Sequence, residues 1–263
     1  MDDWRTYDDV AEIYERVHAP HFLEVARDLV AQASIGEPDL ILDVGTGTGI
    51  AAETAAGAGA SVAGIDESIG MLRVARRERP KVAVVAAEAI DLPFGPSTFD
   101  AVIGTFVLAH FTKYDTALFE LRRVLKMGGR VGFSSWHDGV DAYQDAWREL
   151  IESVVPREML APAYAEAAPW HDRFRSRESV EETLIDAGFR QVRTEIVKYR
   201  WVYNRDDFLD GLTVWATGRF AREMMGETGW AAFRQRAKDV FAERFPDPLN
   251  DFREVILATA VKV

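Results

Sequence analysis

Between Leu40 and Trp136 the chain alternates short aliphatic runs with helical stretches, and this alternation leaves few folds open. The runs are "LILDVG" (40–45), "SVAGID" (61–66), "VAVVAA" (82–87), "FDAVIGTFVLA" (99–109) and "GGRVGFSSW" (128–136). Between them stand "GIAAETAAGAG", "SIGMLRVARRE" with Ser68 as its N-cap, the loop "EAIDLPFGPST" and the amphipathic "KYDTALFELRRVLK". Strands joined by helices form βαβ units and a parallel sheet with right-handed crossovers. Continuous Val/Ile/Leu runs suit strands covered on both faces.

The flanking segments complete this α/β reading. Residues 1–34 are expected to form N-terminal helices, with Tyr7, Val10, Ala11, Tyr14 and Val17 on one apolar face and a break at Pro20. Residues 138–176 carry helical patterns and no strand signal; "SVEETLIDAGF" is a helix and "QVRTEIVKYRWVY" a strand. A second helical stretch, 205–247, precedes the final strand "EVILATAVKV". Residues 1–263 therefore read as one domain whose helical insertions, 138–176 and 205–247, are placed to form a lid.

The first strand runs into "GTGTG", with Gly45, Gly47 and Gly49 at alternate positions. Such a turn brings free N–H groups and a helix N-terminus against a ligand. The dinucleotide fingerprint G-x-G-x-x-G would need a third glycine where Ile50 stands. Asp43, at the strand end, would repel a pyrophosphate and welcome an ammonium or sulfonium instead. Asp66 closes the second strand about 20 residues past the first glycine, where an acid accepts hydrogen bonds from ribose hydroxyls. Met71 is placed to lie on a purine face. Glu88 can accept from an exocyclic amine, and the Ala89 and Ile90 backbone can meet the adenine edge.

These residues resemble the class I S-adenosylmethionine-dependent methyltransferases, especially the small-molecule and ubiquinone/menaquinone-type branch. "LDVGTGTG", "GIDESIGML", "AEAIDLPF…FDAV" and "RVLKMGGRV" match four of the family's motifs in its order, over about residues 39–136. Met127 departs from the pattern, which usually has proline there. The resemblance implies a Rossmann-like seven-stranded sheet of order 3-2-1-4-5-7-6 with the seventh strand antiparallel. It also implies S-adenosyl-L-methionine as cofactor. The expected cofactor contacts are Tyr14, Asp43, Gly45, Thr46, Gly47, Asp66, Glu67, Met71, Glu88, Ala89, Ile90 and Thr105.

Methyl transfer from a sulfonium is an in-line displacement that depends mostly on alignment, with a base needed only where the acceptor loses a proton. His110, after the fourth strand, and His137, after the fifth, are the candidate bases. Each has a structural alternative, loop-shaping for His110 and surface exposure for His137. Tyr199, Trp201 and Tyr203 could line an acceptor pocket, although aromatic stripes at strand spacing are more often core; Trp136 is better placed.

The expected partner is a small-molecule acceptor methylated on O or N rather than C, with a homodimer left open. A net charge of −12 argues against nucleic acid, and "TFVLAHF" lacks the D/N-P-P-Y/F pattern of amino-methylating enzymes. No cysteine is present and the five histidines show no ligand spacing, so no metal is expected. "MDDWRTYDD" is no export signal and no run reaches the ~18–20 apolar residues of a membrane span, so a cytoplasmic protein without membrane insertion is expected. A non-catalytic S-adenosylmethionine-binding protein and an NAD-dependent oxidoreductase are the alternatives.

Overall fold

The computed structural model describes residues 6–137, 139 and 141–263. A short 3-10 turn, Asp8–Val10, leads into α1 (Ala11–Val17) and α2 (Ala19–Gln32). The alternating core follows as β1 (Leu40–Val44), α3 (Ile50–Gly57), β2 (Ser61–Asp66), α4 (Ile69–Glu78), β3 (Ala83–Ala86), β4 (Phe99–Thr105), α5 (Tyr114–Val124) and β5 (Leu125–Trp136). Then come α6 (Ala142–Glu152), α7 (Arg157–Ala167), α8 (Arg177–Asp186), β6 (Phe189–Tyr203), α9 (Arg205–Leu212), α10 (Ala216–Arg244) and β7 (Leu249–Lys262).

The strands form one sheet in the order β3-β2-β1-β4-β5-β7-β6. Neighbours from β3 to β5 pair in parallel, whereas β7 runs antiparallel between β5 and β6. This is the order and sense that the motifs imply.

Residue alternation explains how both faces are covered. Ile41, Ala101, Ile103, Val255 and Leu257 join a core with α2, α3, α6, α9 and α10. Their neighbours Leu42, Val102, Ile256 and Ala258 join the opposite core with α5 and α8. β1 and β4 are covered on both faces, so their apolar runs have no solvated side, whereas β3 at the sheet edge is largely exposed. After β3 the chain crosses to β4 on the far side of β1, which makes the carboxyl ends of β1 and β4 the topological switch point.

Two local features differ from expectation. The break between α1 and α2 falls at His18, and Pro20 sits in the first turn of α2, where its missing N–H leaves no helical bond unmade. α10 is interrupted at Gly226, whose φ of 64° and ψ of 170° are not helical. Met127 lies in the exposed turn at the start of β5, away from the carboxyl ends of the parallel strands.

The two helical stretches pack on each other through Trp147 of α6, whose ring centroid lies 5.3 Å from that of Phe233 in α10. Ala163 and Ala167 of α7 pack with Ala216 and Phe220 of α10. α9 is tied to α1 by Arg16, which pairs with Asp207 and Asp210.

Candidate active site

A cleft of about 1000 Å³, counting its open mouth, lies at the carboxyl ends of β1, β2 and β4. Its floor is the glycine turn. Gly45, Gly47 and Gly49 all take left-handed backbone, with φ of 65°, 56° and 92°. A Cβ on Gly45 would come within 2.4 Å of Val107 Cγ2, so the close approach of the β4 exit requires glycine there.

Asp66 braces this turn. Its Oδ2 accepts from the Gly47 N–H at 2.8 Å and its Oδ1 from the Ser68 N–H at 2.9 Å, linking the turn to the start of α4. Burial pushes the Asp66 carboxyl above the usual range, opposed by these backbone donors. Glu67 is raised as well, by burial and then by the charges of Asp66 and Glu88. Three carboxylates thus line one wall beside apolar Met71 and Ile90. A nucleoside fits this wall, with hydroxyl and amine donors toward the acids and its flat base against the apolar side chains.

Asp43 and Thr46 lie behind the wall rather than on it. Asp43 is fully buried beneath the turn and accepts the Thr46 hydroxyl at 2.6 Å. Burial pushes its pKa up to about 7, with the Thr46 hydroxyl and the Ala52 N–H pulling the other way. The remaining expected contacts, Tyr14, Gly45, Gly47, Asp66, Glu67, Met71, Glu88, Ala89, Ile90 and Thr105, all face the cleft.

The N-terminal segment closes the cleft over α4. Asp8 Oδ1 accepts from Ser68 Oγ at 2.6 Å and from the Gly70 N–H at 2.7 Å. Gly70 permits this approach, since a Cβ there would meet the Asp8 carbonyl at 2.4 Å. α1 is further held by Arg79, which donates to Glu15 at 2.9 Å and to the Thr48 carbonyl at 2.8 Å. Tyr7 and Tyr14 thereby reach the cleft, ring centroids 6.4 Å apart.

The opposite wall is aromatic. Phe106 stacks on Trp136 at 4.2 Å, Phe22 lies 4.8 Å from Phe106, and Trp215 stands 6.3 Å from Trp136. Phe106 holds a φ of 56°, uncommon for a bulky residue, and its N–H donates to the Ser134 carbonyl at 3.1 Å. Tyr199, Trp201 and Tyr203 are core residues behind this wall, not part of it.

His110 lines the cleft and His137 does not. His110 Nδ1 lies 2.8 Å from the carbonyl of Ala167, the last residue of α7. A carbonyl only accepts, so Nδ1 carries the proton and Nε2 keeps its lone pair. Burial holds this imidazole below its ordinary pKa, the Ala167 carbonyl opposes that, and Arg219 lowers it further. His137 Nδ1 stands 3.3 Å from Glu254 Oε2.

Phe22 and Trp215 escape the sequence reading. Phe22 looks like one more apolar helix position, and no local pattern marks Trp215, which comes from between α9 and α10. Phe106 had a signal, being next to Thr105 at the end of β4. Among the described residues no group of three or more His, Cys, Asp or Glu could hold a metal, and no helix is long and apolar enough to cross a membrane.

Comparison with known proteins bears on the family and the fold. Residues 42–133 match a methyltransferase domain family. The chain is 43% identical over 155 residues to a demethylmenaquinone methyltransferase of Streptomyces avermitilis, covering 57% of this chain and 67% of that protein. It is 33% identical over 205 residues to the protein of the same name from Clavibacter sepedonicus, covering 71% of this chain and 81% of the other. In fold it is similar to the Haemonchus contortus phosphoethanolamine N-methyltransferase 2 solved with S-adenosyl-L-methionine, at a TM-score of 0.59 and 21% identity, over 97% of this chain and 57% of that one.

Proposed function

This chain belongs to the class I S-adenosylmethionine-dependent methyltransferases, with S-adenosylmethionine as cofactor, and from that premise we propose that it methylates a small, flat aromatic acceptor of the quinol type. The observation that carries the acceptor class is the aromatic wall of Phe22, Phe106, Trp136 and Trp215, facing the glycine turn across one cleft. An aromatic wall of stacked and edge-on rings favours a planar π-system laid against it. Two relatives named for a demethylated quinone support the same class.

When bound, the cofactor supplies a methyl group on a positively charged sulfur that is already activated for displacement. The residues of this chain do the rest. Asp66 and Glu67 receive ribose hydroxyls, Glu88 takes the amine of the base, and Met71 and Ile90 pack against the ring. The N–H groups of the glycine turn, with Tyr14 above Gly47, hold the amino-acid end. Asp43 acts from beneath the turn, as a buried carboxylate that favours a cation above it. The helical stretches 138–176 and 205–247 form the lid, contributing Trp215 and the Ala167 carbonyl.

His110 is the base in this reading. With Nδ1–H fixed on Ala167, Nε2 would be free to take the hydroxyl proton of an acceptor to which the bound cofactor would supply its methyl group. A ring carbon is the second reading, favoured by the quinone names of the relatives, and it uses the same deprotonation of a neighbouring hydroxyl. His137, paired with Glu254 outside the cleft, is not given a role.

The test is transfer of isotopically labelled methyl from S-adenosylmethionine to a panel of hydroquinones, with the product's methylated atom located by NMR. His110→Ala should lower kcat by roughly 10²–10⁴-fold. Binding of S-adenosylmethionine without transfer to any planar phenol would refute the proposed acceptor class and leave the non-catalytic binding alternative standing.

A further inference from the structure

Arg219, in the first half of α10, is a cation with only 6% of its surface exposed. Its guanidinium carbon lies 4.2 Å from the centre of the Tyr7 ring, and an N–H of the same group donates to the Val214 carbonyl. Tyr7 in turn meets His110 edge-on, ring centroids 6.1 Å apart. Four separate parts of the chain therefore converge within two contacts of His110, Arg219 reaching it through Tyr7. The N-terminal segment supplies Tyr7, α7 the Ala167 carbonyl and α10 Arg219, while His110 itself follows β4.

We propose that Arg219 is a positioning residue for methyl transfer: laid on the face of Tyr7, it holds that ring in the cleft wall against His110 and makes α10 part of the closed site. A cation on a π face is attracted most strongly where water is excluded, as at this burial. Among the described residues, this cation on the Tyr7 ring and the Asp8 contacts with Ser68 and Gly70 both tie the N-terminal segment to the cleft rim. The same cation keeps a positive charge beside the imidazole and so favours the neutral form whose Nε2 accepts a proton. Among the described residues, the titratable and charged groups around His110 are Tyr7 from the N-terminal segment and Arg219 from α10, with Tyr164 of α7 beyond Tyr7 and Arg175 and Asp172 beside Tyr164. The inference rests on the reading of His110 as the base.

The test uses the full chain and S-adenosylhomocysteine, so it needs no knowledge of the acceptor. Affinity is measured by calorimetry, and the His110 titration by NMR of ¹⁵N-labelled histidine, assigned through its absence in His110→Gln. Arg219→Met should weaken S-adenosylhomocysteine roughly tenfold and move the His110 midpoint upward. Tyr7→Leu should weaken the ligand to a similar degree, and the double variant should bind no worse than either single one. Arg219→Lys covers the case in which Arg219→Met fails to fold. It should leave the His110 midpoint in place while weakening the ligand, because the charge stays and the planar stack is lost. Unchanged affinity in the foldable Arg219 variant, or single-variant losses that multiply in the double, would overturn the proposal. Full turnover by His110→Gln would instead overturn the base assignment, and the affinity coupling between positions 7 and 219 would be untouched by it.

Discussion

Asp66 spends both carboxylate oxygens on backbone, one on Gly47 and one on Ser68, so it shapes the glycine turn before any ligand arrives. Asp66→Ala should therefore remove cofactor binding twice over, by deleting a ribose acceptor and by releasing the turn. Gly47→Val should act differently, forcing a β-branched side chain onto a φ of 56° and toward Tyr14, whose ring carbon would lie 3.9 Å from the new Cβ. Wild-type protein at 100 times its dissociation constant for S-adenosylmethionine should gain about 2.7 kcal/mol of stability. Both variants should melt cooperatively and show none of that gain; a retained thermal shift in Asp66→Ala would remove Asp66 from the cofactor site. Residues of this kind were legible because short spacing fixes them: Glu88, Ala89 and Ile90 follow one strand and can only sit at its carboxyl end. Asp43 was legible as part of the turn, but its depth below the floor was not, since a residue near a strand's end can lie on either face. Trp215 left no trace, because its place depends on how two helices far along the chain pack.

At the scale of elements, the parallel strands were legible because each is a short apolar run bounded by helical patterns or a loop, and at the sheet centre, in β1 and β4, double burial demands that composition. The antiparallel pair β6–β7 was harder. β7 begins at Leu249, five residues before the aliphatic run "EVILATAVKV", and "LNDFR" holds its strand only by pairing with β6, as in Arg200 opposite Phe252. Tertiary pairing outweighs local preference there. α10 shows the same limit. Its sequence reads as one long helix, yet Gly226 takes a φ of 64° and ψ of 170°, a region open essentially to glycine alone. The break lets Ala216 and Phe220 pack on α7 while Trp230 and Phe233 pack near Trp147 of α6. Among the described residues, its chain neighbours and its own helix backbone aside, no heavy atom lies within 4 Å of where a Cβ on Gly226 would stand, so Gly226→Ala tests the backbone conformation. It should cost about 1–3 kcal/mol, read as a lower urea midpoint. An unchanged midpoint would mean that α10 can run straight without loss of packing.

Across the whole molecule, buried titratable groups on the two sides of the cleft set opposing pH dependences. His18, stacked on Phe22 with Nε2 3.0 Å from the Gly211 carbonyl, is held down to about 4 chiefly by burial. His21 is lowered to about 4 for the same reason. A depressed folded-state pKa gives stability that is present above the ordinary histidine value of ~6.5 and lost as pH falls through about 4. Asp43 works the other way. Its carboxyl is raised from 3.8 to about 7, so its contribution is present below 3.8 and lost as pH rises through about 7. Between these limits the slopes oppose each other, each titrating group contributing at most about 1.4 kcal/mol per pH unit. Urea unfolding at several pH values separates them. Asp43→Asn can still accept the Thr46 hydroxyl, and it should gain on wild type steadily from pH 4 to 7 and level off above. His18→Gln can still donate to Gly211, and it should gain on wild type as pH falls from 6.5 toward 4. Difference curves that slope the same way with pH would mean that burial does not disfavour the charged form of one of the two groups.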